Sequence, residues 1–142
     1  MLDIAELATE LQEFTAWQET PMPLGMTDYY RMVRRGIRKF FVDINHPSEY
    51  STSNWITDDD GNQCYDRDFM ADEIEYILCL CRIEFFRRVQ TDVNNAFGYS
   101  TDALTVTNAD KPYANLQRTL DDLERERRIL FYKMTRYALG TG

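Results

Sequence analysis

The chain has 142 residues with 44% apolar side chains, which suits one domain with its own core and excludes wholesale disorder. Six glycines and four prolines exclude collagen-like or low-complexity sequence, and no stretch reaches the roughly 18 uncharged apolar residues of a membrane span. With 24 acids against 16 bases the net charge is -8, opposite in sign to a free-standing DNA binder, whose affinity comes largely from neutralising phosphates.

In chain order, residues 1–20 carry five acids and no base. A helix is predicted over residues 3–17, with Asp3 as N-cap and Glu6 three residues later as in a capping box. Ile4, Leu7, Leu11 and Phe14 fall on its inner face. Nothing in MLDIAELATE places a basic region before an apolar one, so no secretion signal is read there. The segment from Thr20 to Gly25, with prolines at 21 and 23, breaks the helix as a short extended connector.

A second helix is predicted to start at Thr27 or Asp28 and to end near Val42, burying Tyr30, Val33, Ile37, Phe40 and Phe41. Gly36 in its middle lowers helix propensity by ~1 kcal/mol relative to alanine, and suggests close packing on a neighbour. Arg31, Arg34, Arg35, Arg38 and Lys39 form the chain's basic patch. The four arginines stand at i, i+3, i+4 and i+7 and so share a face. That face is either solvated, paired with the acidic first helix, or a contact for an acidic partner protein or nucleic acid.

Residues 43–67 read as an acidic insertion with turn chemistry. The stretch 50–57 can extend, Asp60-Gly61-Asn62 can turn, and 63–65 can return, which predicts a β-hairpin. Its negative charge predicts that it stays out of the core. Asp58, Asp59 and Asp60 invite a calcium reading, but an EF-hand register with Gly61 at its sixth position puts Ile56 and Arg67 where oxygen ligands are needed. An acidic tip is the simpler reading, facing a partner or a channel, and no metal or cofactor is expected.

The third helix is predicted from Phe69 to Asn94 or Phe97, capped by Asp66 or Asp68, with Ile74, Leu78, Cys81 and Phe85 inward and Gly98 as stop. Cys79 and Cys81 point roughly 200° apart on a helix and cannot chelate one ion. Neither they nor Cys64 and His46 have zinc spacing, and three cysteines make no secreted disulfide framework. A less polar loop over 99–109 leads to a last helix over 110–138, with Asp110 as cap and Pro112 in its first turn. Its seam is Tyr113, Leu116, Leu120, Leu123, Arg127, Leu130, Met134 and Tyr137, at 3-4 spacing. Arg127 is the one charged member, placed to meet an acid across the interface. The fold class predicted is mainly α: a four-helix bundle dominated by a long antiparallel hairpin of the last two helices, with the small acidic β-hairpin inserted. Residues 1–142 make one domain, with 1–20 an N-terminal helix or arm.

Catalysis finds no foothold. His46 precedes Pro47 without a nucleophile elbow, no phosphate-binding or dinucleotide glycine motif occurs, and Asp121 and Asp122 diverge on their helix. No catalytic residue is named and no enzyme is expected.

Three runs carry more than helix signals: Glu73-Ile74-Glu75-Tyr76-Ile77-Leu78; Glu84-Phe85-Phe86-Arg87-Arg88-Val89-Gln90-Thr91-Asp92-Val93-Asn94; and residues 98–113 from Gly98-Tyr99-Ser100 to Lys111-Pro112-Tyr113. With the order helix, basic-aromatic helix, acidic insertion and long helical hairpin, the chain resembles the head–tail connector (adaptor, neck) proteins of tailed phages and prophages. The resemblance spans residues 28–137. It implies a structural virion protein of the neck region, assembled in the host cytoplasm. The implied partners are copies of itself in a ring (twelve-fold by the resemblance alone), the portal protein, a head-closure or tail-completion protein, and passing DNA bound without sequence specificity. Two other readings are a small acidic assembly chaperone or regulator, and a DNA-mimic inhibitor; both would be absent from the virion.

Overall fold

A computed structural model describes residues 1–16, 24–44, 49–98 and 110–140, and these form a mainly helical bundle with a small sheet. Strand β1 (Leu2–Asp3) leads into helix α1 (Ile4–Thr15), followed by α2 (Met26–Asp43), β2 (Trp55–Thr57), β3 (Gln63–Tyr65), α3 (Ala71–Gly98) and α4 (Asp110–Gly140). His46, Trp17, the predicted loop over 99–109 and most of the 20–25 connector lie outside the described residues, as do the side chains of Asp110, Tyr113 and Tyr137. No helix among the described residues is long and apolar enough to cross a membrane.

The predicted mainly α bundle with a β-hairpin insertion is the observed architecture, with α3 at its centre. Every residue from Tyr76 to Cys81 is buried, so this helix is covered all round. Its two thiols show the geometry. Cys79 Sγ donates to the Leu123 carbonyl on α4 and Cys81 Sγ to the Met32 carbonyl on α2, both at 3.4 Å. The stripe of Leu116, Leu120 and Leu123 is buried on α3, while Leu130 and Met134 are half-buried further along. On the other flank α2 packs on α3, and α1 packs chiefly on α2.

Gly36 sets how close α2 and α3 come. A Cβ there would stand 2.6 Å from Cys81 Sγ and 3.3 Å from the Ile77 carbonyl oxygen. Gly36→Ala would gain up to ~1 kcal/mol of helix propensity but incur overpacking of ~1–3 kcal/mol, so a lower melting temperature is expected. Adding Cys81→Ala should recover part of the loss; no recovery in that double variant would mean the close approach is not what glycine serves.

The helix starts follow local chemistry with two corrections. Asp3 caps α1 as expected, its Oδ1 accepting from Ala5 N at 2.9 Å. The N-cap of α2 is Gly25 rather than Thr27 or Asp28: Asp28 lies three residues into the helix and its Oδ2 accepts from Gly25 N at 3.1 Å. The helix gains the same satisfied amide from an acid placed one turn later. Neither Asp66 nor Asp68 caps α3, which begins further on; Glu73 Oε1 accepts from Met70 N at 2.8 Å, and Asp68 instead receives the N-terminal ammonium at 3.0 Å.

The insertion departs most from expectation. β2 and β3 form the predicted antiparallel hairpin, with Gly61 at φ +83° in its turn, a backbone conformation that glycine adopts at little steric cost. Yet β3 is the central strand, pairing β1 on its other side (Leu2 with Tyr65, Asp3 with Cys64). Cys64 and Tyr65 are buried. The acids avoid the core because they sit in the turn (58–60) and after the last strand (66 and 68), while the strands themselves carry Trp55, Cys64 and Tyr65. The hairpin is thus part of the core, and residues 1–15 are a docked strand and helix, not a free arm.

Candidate interaction surfaces

The basic patch of α2 is exposed but not uniformly available. The Arg34 guanidinium lies 5.0 Å from the Trp55 ring centroid and that of Arg38 5.9 Å from Tyr50. These cation–π contacts contribute about 0.5–1 kcal/mol each at exposed sites. Arg35 Nη2 pairs with Glu84 Oε1 of α3 at 2.6 Å. The partners are therefore the hairpin aromatics and α3, not the acidic α1. Arg31 and Lys39 have no ion pair among the described residues and are the cations of this patch left for another molecule.

Beside the patch, a groove of about 650 Å³ opens between three helices, lined by Arg35, Gly36, Lys39 and Asp43 of α2, Leu80, Ile83, Glu84 and Arg87 of α3, and Glu124 and Arg127 of α4. Its charges are largely matched to one another. Glu124 accepts from Arg87 Nη2 at 2.6 Å across the α3–α4 interface and from Arg127 Nε at 2.9 Å within its own helix. The expected partner for Arg127 across the seam is thus replaced by an acid one turn away, because the residue facing it from α3 is Tyr76, whose contact raises the Arg127 pKa. The Tyr76 hydroxyl donates to Asp43 Oδ2 at 2.9 Å, and burial chiefly pushes its pKa up to about 12. Burial also raises Glu84, against the opposing pull of Arg35.

The thiols are equally quiet as chemistry. Burial raises all three, with Cys79 pushed up to about 12, so each is protonated at neutral pH, whereas reactive thiols have their pKa lowered. What this groove offers a ligand is a wall of charges paired largely with one another.

At the hairpin tip Asp58 is occupied internally: its Oδ1 accepts from Asp60 N at 3.0 Å and Asn62 N at 2.8 Å. Asp59 and Asp60 remain exposed. The three do not converge, and no cluster of three or more potential metal ligands occurs among the described residues. The tip is carried against α1, since Gly61, Asn62 and Gln63 share a small hollow with Ile4, Ala5 and Tyr30. On α1, Asp3, Glu6, Glu10 and Glu13 rim a shallow depression that Ala5 and Thr9 also line. Glu6 stands on this rim, and among the described residues it does not close the expected box at the N-cap. The start of α1 thus borders both this depression and the hollow beside the hairpin turn.

A further surface escaped sequence reasoning. Arg125, Arg128, Ile129, Tyr132 and Lys133 form a patch on α4, with Ile129 56% and Tyr132 73% exposed. The spacing i, i+3, i+4, i+7, i+8 was available in the sequence as a second stripe, on the face of α4 away from its leucine seam. Compared with known proteins, the chain matches no family model, no curated protein and no solved structure.

Proposed function

We propose that this chain is a structural, non-enzymatic virion protein, a head–tail connector that assembles as a ring between the portal and the next neck or tail proteins. The observation that carries the reading is the separation of charge. Acids gather on α1 and at the hairpin tip, while Arg31 and Lys39 of α2 and Arg128 and Lys133 of α4 have no ion pair among the described residues. A head-to-tail ring needs two unlike flanks on each subunit, and it closes when the rotation between them allows. Carboxylates such as Asp59 and Asp60, if turned to the channel, would repel phosphates and keep packaged DNA from adhering. Arg31 and Lys39 are the residues assigned to a neighbouring neck protein.

Mass spectrometry of purified particles, with genetic complementation, tests this. The wild-type chain is expected in virions. Arg31→Glu with Lys39→Glu should stay folded, since neither residue has an ion pair among the described residues, with a slightly lower melt because Lys39 borders Asp43 and Glu84, yet yield DNA-filled heads without tails. Reversing Arg34, Arg35 and Arg38 would be a poorer test, because each also holds Trp55, Glu84 or Tyr50. Normal tailed particles from the double variant would leave that face merely solvated.

One observation favours a second reading. Asp3, Glu6, Glu10 and Glu13 rim one depression, and the hairpin that carries Asp59 and Asp60 packs beside the start of the same helix, an acidic surface of the kind a DNA mimic requires. A wild-type chain absent from virions, and recovered instead on a DNA-binding protein, would replace the connector with that inhibitor.

A further inference from the structure

We infer that the α4 patch is a docking surface for a second copy of this chain, and that it seats on the acidic depression of that copy's α1. The inference rests on the ring-forming reading above and names the contact which that reading leaves open. Ile129 and Tyr132 are large apolar side chains in solvent, flanked by Arg125, Arg128 and Lys133. Among the described residues Arg125 alone of the three has an ion pair, with Asp122 at 4.0 Å, and both side chains of that pair are largely exposed.

The depression on α1 is complementary in sign, shape and length. Glu6, Glu10 and Glu13 stand at i, i+4 and i+7 and have no ion pair among the described residues, and the small side chains Ala5 and Thr9 lie between them. Three bases from 125 to 133 cover about 12 Å of helix, and three acids from 6 to 13 about 10 Å, at 1.5 Å per residue. Tyr132 then enters the concave centre as an anchor while the charges form a rim. The surfaces do not meet within one chain, because α1 packs chiefly on α2 while α4 packs on α3. Surfaces that are complementary but separated on one molecule make a heterologous contact, satisfied by successive copies.

The test is a charge swap. One variant carries Arg125→Glu, Arg128→Glu and Lys133→Glu; a second carries Glu6→Lys, Glu10→Lys and Glu13→Lys. Sedimentation velocity at low ionic strength, from micromolar to millimolar protein, reads association, and thermal melting checks that each variant is folded. The wild type should self-associate, more weakly as salt is added. Each variant alone should associate about tenfold more weakly, Tyr132→Ala should do the same without a charge change, and the equimolar mixture of the two charge variants should associate again. A wild type that stays monomeric at millimolar concentration, a variant that associates as its parent does, or a mixture that fails to recover would each overturn the inference. Incorporation into virions is scored separately, so the connector reading can stand when this contact falls, and the contact when the connector falls.

Discussion

Leu123→Asp should leave the chain largely unfolded at room temperature. Leu123 is 5% exposed, lies on the α3 side of α4, and its carbonyl accepts the Cys79 thiol at 3.4 Å. Removing the isobutyl group costs ~2–5 kcal/mol, and an unpaired carboxylate there costs several more. Together these approach the whole stability of a domain this size, roughly 5–15 kcal/mol. Ile129→Asp is the matched control. It stands six residues on along the same helix, 56% exposed, and should alter stability by no more than ~0.5 kcal/mol. Far-ultraviolet circular dichroism and melting decide: equal melts for the two variants would mean that the leucine stripe does not face α3.

That contrast marks what could be read from the chain. Leu116, Leu120 and Leu123 announce themselves because one apolar stripe on a charged helix has a clear 3.6-residue period. The central helix hides its role for the opposite reason. Of its predicted stripe Leu78, Cys81 and Phe85 are buried and Ile74 half-buried, but Tyr76, Ile77, Cys79, Leu80 and Phe86 are buried as well, and a helix covered on all sides has no single period to find. Gly36 was legible as a close approach, but its partner Cys81 required the fold. β1 was not legible at all, since two residues hold no period; it exists because β3 offers them an edge.

The candidate surfaces divide along the same line. Arg31 to Lys39 were visible as a charged face, because spacing alone fixes who shares a helix side. Their division was not, since Trp55 and Tyr50 arrive from the hairpin and Glu84 from α3. Likewise the insertion and the first helix look like separate elements until the β1–β3 pairing sets Asp3 beside Cys64 and the hairpin turn beside Ala5. Charge at a position is a property of sequence; which charges remain unmatched is a property of packing.

Tyr65→Ala should lower the melting temperature by roughly 10–20 °C, which follows from ~3–5 kcal/mol for emptying a buried aromatic site in a chain of this length. The side chain is fully buried. Its ring lies 4.8 Å from Trp55, 5.6 Å from Phe41, 6.0 Å from Phe69 and 6.1 Å from Tyr50, centroid to centroid. Its hydroxyl accepts from Ser51 N at 3.3 Å and from Asn54 Nδ2 at 3.4 Å, and its backbone sits in the strand between Leu2 and Trp55. One residue therefore ties the acidic insertion, the N-terminal strand and the aromatic end of α2 together. Tyr65→Phe keeps the ring and gives up only two long hydrogen bonds, about 1 kcal/mol in all, so its melt should fall by a few degrees. The loss in Tyr65→Ala should also reach outward, because Arg34 and Arg38 rest on Trp55 and Tyr50, the two rings that Tyr65 supports. Hydrogen exchange should then quicken in β1 and at the start of α1 as well as in the hairpin. If exchange rose in the hairpin alone and the melt stayed near that of the parent, the insertion would be an appendage after all, and Asp59 and Asp60 would stand on no footing shared with α1.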